Sequence, residues 1–482
     1  MGADQWGNEV LGTLLAELGW SPNQLAGVVN GVLGPGSVAR STVSGWLHQD
    51  RLPREPLPTV VAHLISDALD REVPVARLWS GRAQPAEFWV PADHGLRLPW
   101  TAAGTVEVLD DWLRHTGGSI GMDRRIFLAV SGASLTAPAW GYVEYLGIRG
   151  DSFAALADAR RSITITSAMV DAVAAGTAGI RTLGGVEGGN DDNLRFLHHH
   201  LLWVTKLLRQ GRFTSSAVAD RLLTEWAQTA QVGAWMANEA GQHGLSQRYV
   251  TSGLHAAHTA GDRTVGVYLL AFASKWRVIQ GRLNDGVDLG RAARDAVELA
   301  NAAYEAARST PPAVRALAAS ALAAAQAAVG NAHGFHAAAD EARTLLDTPG
   351  ALDALPSYLT GWPALLESQL ALSTLTLAEV SSRDCRRLLE GADTVLGRIA
   401  TDPVSTPWDA VFHAALLSRA HVAAGDLDRA VPAAQTALRR LPTVRSRRCA
   451  LILRRLEDDL AALPAARRPA AVRSLHDQLH AT

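Results

Sequence analysis

The chain has 482 residues. Single cores stop growing at about 250 to 300 residues, so two or three units are expected. Its 45 basic and 47 acidic residues leave a formal charge of -2, which excludes a molecule that coats nucleic acid or an anionic membrane by bulk charge; any such contact must be local. Cys385 and Cys449 form neither a CxxC pair nor a disulfide framework, which fits a reducing cytoplasm, and neither lysine, Lys206 or Lys275, stands in a phosphate-binding GxxxxGKS/T loop.

The start of the chain carries Asp4 and Glu9 without a basic leader, and apolar runs stay short of the roughly 18 residues that cross a bilayer. A cytoplasmic protein without membrane contact is expected. In chain order, Gly7 to Leu18 shows the helical stripe Val10, Leu11, Leu14, Leu15 and Leu18. Ser21, Pro22 and Gln24 predict an N-cap, a first-turn proline and a capping-box partner for a second helix to about Asn30, stopped by Gly31 to Gly36. A third helix, from about Arg40 to Gln49, turns Val43, Trp46 and Leu47 inward, and a fourth runs from Pro58 to Leu69.

Residues 81–120 read as a linker and connecting helix, with Pro85, Pro91 and Pro99 among Phe88, Trp89 and Trp100. Beyond them the pattern is helix after helix, with no sustained strand alternation. Gly176 to Asn193, dense in glycine, reads as a mobile loop. A loose signature, glycine followed five positions on by a small or aromatic residue, recurs at Gly244 to Tyr249, Gly281 to Gly286, Gly330 to Phe335 and Gly425 to Ala430. It resembles tetratricopeptide-type hairpins, whose nominal period is about 34 residues. The expected fold is therefore all-α, with residues 1–80 forming a first helical domain, 81–120 a connector and 121–482 a TPR-like helical-repeat superhelix.

The segment from Val38 to Leu47 resembles the recognition helix of Xre-type helix-turn-helix proteins, in which a small polar cluster precedes inward aliphatic and tryptophan anchors. More widely, Leu57 to Ala62, Leu78 to Gly81, Gly121 to Leu128 and Gly233 to Tyr249 make the chain similar to actinobacterial regulators that join such a domain to degenerate tetratricopeptide repeats, among them negative regulators of sporulation and antibiotic production. The resemblance implies a transcriptional regulator of development or secondary metabolism. Double-stranded DNA would be read by Arg40, Ser41, Thr42 and Ser44 at base edges and by His48, Gln49, Arg51 and Arg54 near phosphates. A homodimer is expected, because one helix with few cations discriminates weakly and because an open helical stack leaves end surfaces to cover.

Two features depart from the Xre pattern. Its turn is lengthened by about seven residues through Gly31 to Gly36, and residues 1–98 hold seven arginines against ten acidic residues, a net charge of minus three. That charge keeps an alternative open, a repeat protein that scaffolds other proteins without touching DNA.

The helices after residue 200 carry Trp203, Trp226, Trp235, Tyr249, Tyr268, Trp276 and Trp362. Most large aromatics at helical spacing are core, but an inner groove would use them to hold a small peptide or small-molecule signal. The expected ligand-binding set is Trp235, Asn238, Arg248, Tyr249, Lys275, Trp276 and Arg277. Asn238 is singled out through the distant likeness to Gram-positive peptide-receptor regulators, in which an asparagine grips the peptide backbone.

Three consecutive histidines, His198 to His200, point about 100° apart on a helix and cannot converge on one metal. Arg439, Arg440, Arg445, Arg447, Arg448, Arg454 and Arg455 read as a solvated face over Leu451, Leu453 and Leu456. With no clustered nucleophile and base, neither enzyme activity, nor a catalytic residue, nor a metal, nor a cofactor is expected.

Overall fold

The computed structural model describes residues 7–33, 38–54, 57–69, 73–80, 98–116, 135–146, 153, 163–283, 289–353, 355–359, 361–380, 385–403, 405–464 and 469–480, and these are mostly helical. The expectations for residues 81–97 and for Gly121 to Leu128 lie outside them. Two compact units emerge: residues 1–94 with 110–133 and 242–245, and residues 95–109 with 134–241 and 246–482.

The N-terminal unit contains α1 (Glu9–Leu18), α2 (Pro22–Leu33), α3 (Arg40–His48), α4 (Leu57–Leu69) and the short α5 (Val75–Leu78). Local signals set each boundary. Asn8 caps α1 by accepting from the Leu11 amide and ties its own amide to the Leu78 carbonyl at 3.0 Å. Gly19, left-handed at φ 65°, ends that helix. The capping box closes in both directions, Ser21 N donating to Gln24 Oε1 at 2.7 Å and Gln24 N to Ser21 Oγ at 3.2 Å. The Asn30 side chain ties α2 to the start of α3: it donates to the Val38 carbonyl and accepts from the Val38 amide, both at 2.8 Å. Leu11, Leu25, Val43, Trp46, Leu47, Ile65, Leu78 and Trp79 fill the core. Trp46 meets Trp79 edge-on at 6.1 Å, and the Trp79 indole donates to the Pro58 carbonyl, so the polar end of this ring is satisfied inside.

In the larger unit, α6 (Ala102–Thr116), of which the residues up to Leu109 belong here, and α7 (Thr136–Glu144) precede a run of helices that pair in sequence. These are α8 (Ser167–Glu187), α9 (Asp191–Gln210), α10 (Ser216–Glu239), α11 (His243–Ala260), α12 (Arg263–Leu283), α13 (Leu289–Ala307), α14 (Pro312–Ala328), α15 (Ala332–Leu346), α16 (Leu366–Val380), α17 (Cys385–Thr401), α18 (Pro407–Ala423), α19 (Leu427–Arg440), α20 (Arg447–Ala461) and α21 (Ala470–His480). Two three-residue strands, β1 (Ile163–Ile165) and β2 (Gly211–Phe213), pair in parallel, with Ile163 opposite Gly211.

Hairpins turn tightly where a left-handed glycine is followed by a capping Asp or Asn. Gly261-Asp262, Gly330-Asn331 and Gly425-Asp426 each have φ near 70°, and each acid or amide then accepts from the first turn of the next helix. Two of the four glycine signatures in the sequence, at Gly330 and Gly425, mark these turns; Gly244 and Gly281 sit inside α11 and α12 instead.

Gly176 to Asn193 is not a loop. It forms the second half of α8, a turn at Gly188 and the Asn190 cap of α9. Glycine here serves close approach: a methyl on Gly184 would lie 2.4 Å from the Trp235 ring, and one on Gly176 would lie 2.7 Å from His200.

The helices α8, α10, α12, α14, α16, α18 and α20 form an inner layer. Residues on nearly every side of α14 and α18 are buried, whereas α13, α17 and α19 bury one stripe and expose the other. That difference is what helices packed on two sides and on one side require. The helices α8, α10, α12, α14 and α16 touch in succession, as do α18 and α20; α17 links α16 to α18, and the layer closes on itself with α18 against α8 and α20 against α10. A buried polar seam holds the closure. Glu239, fully buried at the end of α10, accepts from Trp408 Nε1 at 2.7 Å and from Ser446 Oγ, and pairs with Arg448; the Arg445 amide donates to the Glu187 carbonyl at 2.8 Å.

Among the described residues no helix is long and apolar enough to cross a membrane.

Candidate functional site

On α3 the alternation written in the sequence is realised residue by residue. Val43, Trp46 and Leu47 are buried in the core, while Arg40, Ser41, Thr42 and His48 are exposed and Ser44 is half-buried. Gln49, Arg51 and Arg54 continue the exposed polar surface beyond the helix, through a turn in which Asp50 takes a left-handed conformation at φ 48°. Arg51 is positioned by the glycine before it: its amide donates to the Gly45 carbonyl at 3.2 Å, and its Cδ lies 3.3 Å from where a Gly45 methyl would stand. All eight residues expected to face DNA thus lie on α3 or just after it, with side chains of which none is fully buried.

Within the larger unit the ring of inner helices surrounds a cavity of about 730 Å³. Every inner helix contributes to its wall, and the segment between α15 and α16 adds Tyr358 and Trp362. Eight aromatic side chains line it: Trp235, Tyr268, Phe272, Trp276, Tyr358, Trp362, Trp408 and Phe412. Tyr268 stacks on Tyr358 with ring centroids 6.2 Å apart, and Trp408 stacks on Phe412 at 5.0 Å. Arg448 enters among them, its guanidinium 4.8 Å from the Trp276 ring, 5.1 Å from Trp408 and 4.6 Å from Phe412.

Among the described residues, three arginines of the lining each have a carboxylate nearby. Arg448 is held by Glu239. Arg282 grips Glu379, with Nε donating at 2.8 Å, and also donates to Thr376 Oγ1. Arg181 donates to the Tyr358 carbonyl at 2.9 Å and lies in the field of Glu225, whose carboxyl burial pushes upward. Lys275 instead donates to two neutral oxygens, Ser320 Oγ at 2.9 Å and Gln369 Oε1, with the Trp362 ring centroid 6.0 Å from its ammonium. Burial lowers its pKa to about 7. Protein surrounds Lys275, yet it keeps some accessible surface, as a side chain does when it faces a cavity. His413, on the α18 wall, is held neutral by burial and bonds the Asp409 carbonyl at 2.7 Å.

Three of the seven expected ligand residues, Trp235, Lys275 and Trp276, meet in this wall. The other four are placed elsewhere. Asn238 and Arg248 are buried outside the lining. Tyr249 is fully buried, with its hydroxyl 3.3 Å from His198 Nδ1. Arg277 points to the outer helix, pairing with Asp295 at 2.6 Å. Lys275 and Arg277 are two apart on one helix and so face different ways.

Arg448 is buried rather than part of a solvated face, although Leu453 and Leu456 of the same run do pack inward as expected. Its partners Glu239 and Trp408 are not legible in the sequence, since they lie 209 and 40 positions away (448 minus 239, 448 minus 408) and leave no local signal. Gln369 was also missed; among the described residues it is the acceptor shared by Lys275 and Trp362 Nε1.

Comparison with family models, with curated proteins and with solved structures finds no match for this chain.

Proposed function

We propose that the chain is a DNA-binding transcriptional regulator, its N-terminal unit acting as a helix-turn-helix reader and its larger, repeat-like unit as receptor for a signal. The observation that carries this reading is α3. It is a short helix anchored by Val43, Trp46 and Leu47, and it presents Arg40 and small hydroxyls outward without an acidic side chain among its nine residues. Such a face fits a major groove, where serine and threonine bond either base edge and arginine bonds guanine. The Asn30 clamp on Val38 supports it further, because it fixes the start of α3 despite the lengthened connection.

The net negative charge of residues 1–98 favours a second reading, a scaffold whose N-terminal unit docks on another protein. Selection of bound duplexes from a random-sequence pool, followed by gel shift of the enriched sequence, separates the two. The regulator reading expects an enriched motif, lost on Arg40→Ala, and a salt slope that falls by about one on Arg51→Ala. Absence of enrichment, or equal binding by an Arg40→Ala/Ser44→Ala variant, rejects it in favour of the scaffold. A homodimer remains part of this proposal through half-site pairing, with light scattering expected at about twice the 51.1 kDa chain mass.

A further inference from the structure

We infer that the cavity ringed by the inner helices binds a small, largely aromatic organic acid whose anionic group accepts a hydrogen bond from Lys275. This rests on the receptor reading of the larger unit and names the class of its ligand.

Size comes first. A cavity of about 730 Å³ lies in the range that drug-sized molecules fill, roughly 300 to 1,000 Å³. The wall chemistry is next. Trp235, Trp276, Trp362, Tyr268 and Phe412 present flat apolar surface, which favours planar or polycyclic partners over a peptide backbone in need of many hydrogen bonds. Asn238, the residue suited to grip a peptide amide, is outside the lining.

Charge supplies the last step. Lys275 is the lining cation that has neither a carboxylate partner nor the field of one among the described residues: Arg282 and Arg448 each hold a glutamate, and Arg181 lies near Glu225. An ammonium has three donors, and two of them are directed to Ser320 and Gln369. The third is available to a group in the cavity. A buried ammonium without a counter-charge is costly, and an anionic ligand removes that cost on binding. Gln369 is itself fixed by the Trp362 indole at 3.3 Å, so the ammonium is oriented before a ligand arrives.

A matched pair of fluorescent probes tests this on the full chain: 8-anilinonaphthalene-1-sulfonate and N-phenyl-1-naphthylamine, which share their rings and differ in the acid. The wild type is expected to bind both saturably, one per chain, with the sulfonate favoured by about tenfold or more, the usual worth of a hydrogen bond to a charged group. Lys275→Met should abolish that preference while retaining the neutral probe. A preference that survives Lys275→Met overturns the assignment to Lys275. Should that variant be insoluble, Lys275→Gln decides in the same way. If neither probe binds saturably to the wild type, the receptor reading itself fails.

Discussion

The two units solve the problem of polar groups differently. In the N-terminal unit the core is a cluster of aliphatic residues and two tryptophans, and Asn8, a buried polar side chain there, caps α1 and bonds the Leu78 carbonyl. The larger unit buries glutamate, arginine and several histidines and half-buries a lysine. A small unit that encloses no cavity can be apolar inside. Where a ring around a cavity buries polar groups, each requires a partner.

Removing one partner gives the largest expected effect. Glu239→Ala leaves Arg448 charged and buried, a loss of about 3 to 5 kcal/mol, so calorimetry should show the unfolding transition of the larger unit falling well below that of the wild type while the N-terminal unit keeps its own. An unchanged larger-unit transition would mean that the seam contributes little to stability.

Acid sharpens the same contrast. Burial holds the pKa of His198 down to about 4 and lowers those of His200, His258 and His413. An unfolded chain binds protons at these sites near pH 6.5, where the folded one does not. Stability from their neutral burial is therefore complete above about pH 6.5 and is lost as pH falls toward 4, by roughly 3 kcal/mol for His198 alone. His48 of the N-terminal unit is exposed. Chemical denaturation at pH 7 and pH 5 should weaken the larger unit selectively; equal weakening of both units would contradict the assignment of the acid response to these histidines.

The smallest effect belongs to the N-terminal unit. Ser21→Ala breaks one half of the capping box and should cost about 1 kcal/mol, seen as a lower midpoint for that unit alone. A loss of several kcal/mol would show that α2 holds the unit together to a degree its exposed cap does not suggest.

Legibility in the sequence follows the same division. The apolar stripes of α1 and α4, the Ser21 and Gln24 capping box and the inward trio on α3 were readable because each is set by neighbours within one or two turns. The helical hairpins were readable in part, with Gly-Asp and Gly-Asn as a sharper marker than the glycine-to-aromatic signature. Gly176 to Asn193 misled because glycine permits both a turn and a close helix approach, and the partners that decide between them, Trp235 and His200, lie elsewhere in the chain. The cavity was half visible: aromatics at helical spacing drew attention to Trp235, Lys275 and Trp276, but which face of α12 turns inward depends on the closing of the ring.

That closing also changes what an array of helical hairpins is expected to do. In an open stack each unit touches only its neighbours, so the terminal ones fray first and unfolding spreads from them. With α18 against α8 and α20 against α10, the described inner helices of the larger unit close into a ring without such ends. Opening one interface releases no hairpin, since each remains attached through its other neighbour. The array should therefore melt in a single cooperative step, and exposed stack ends no longer argue for pairing with a second copy.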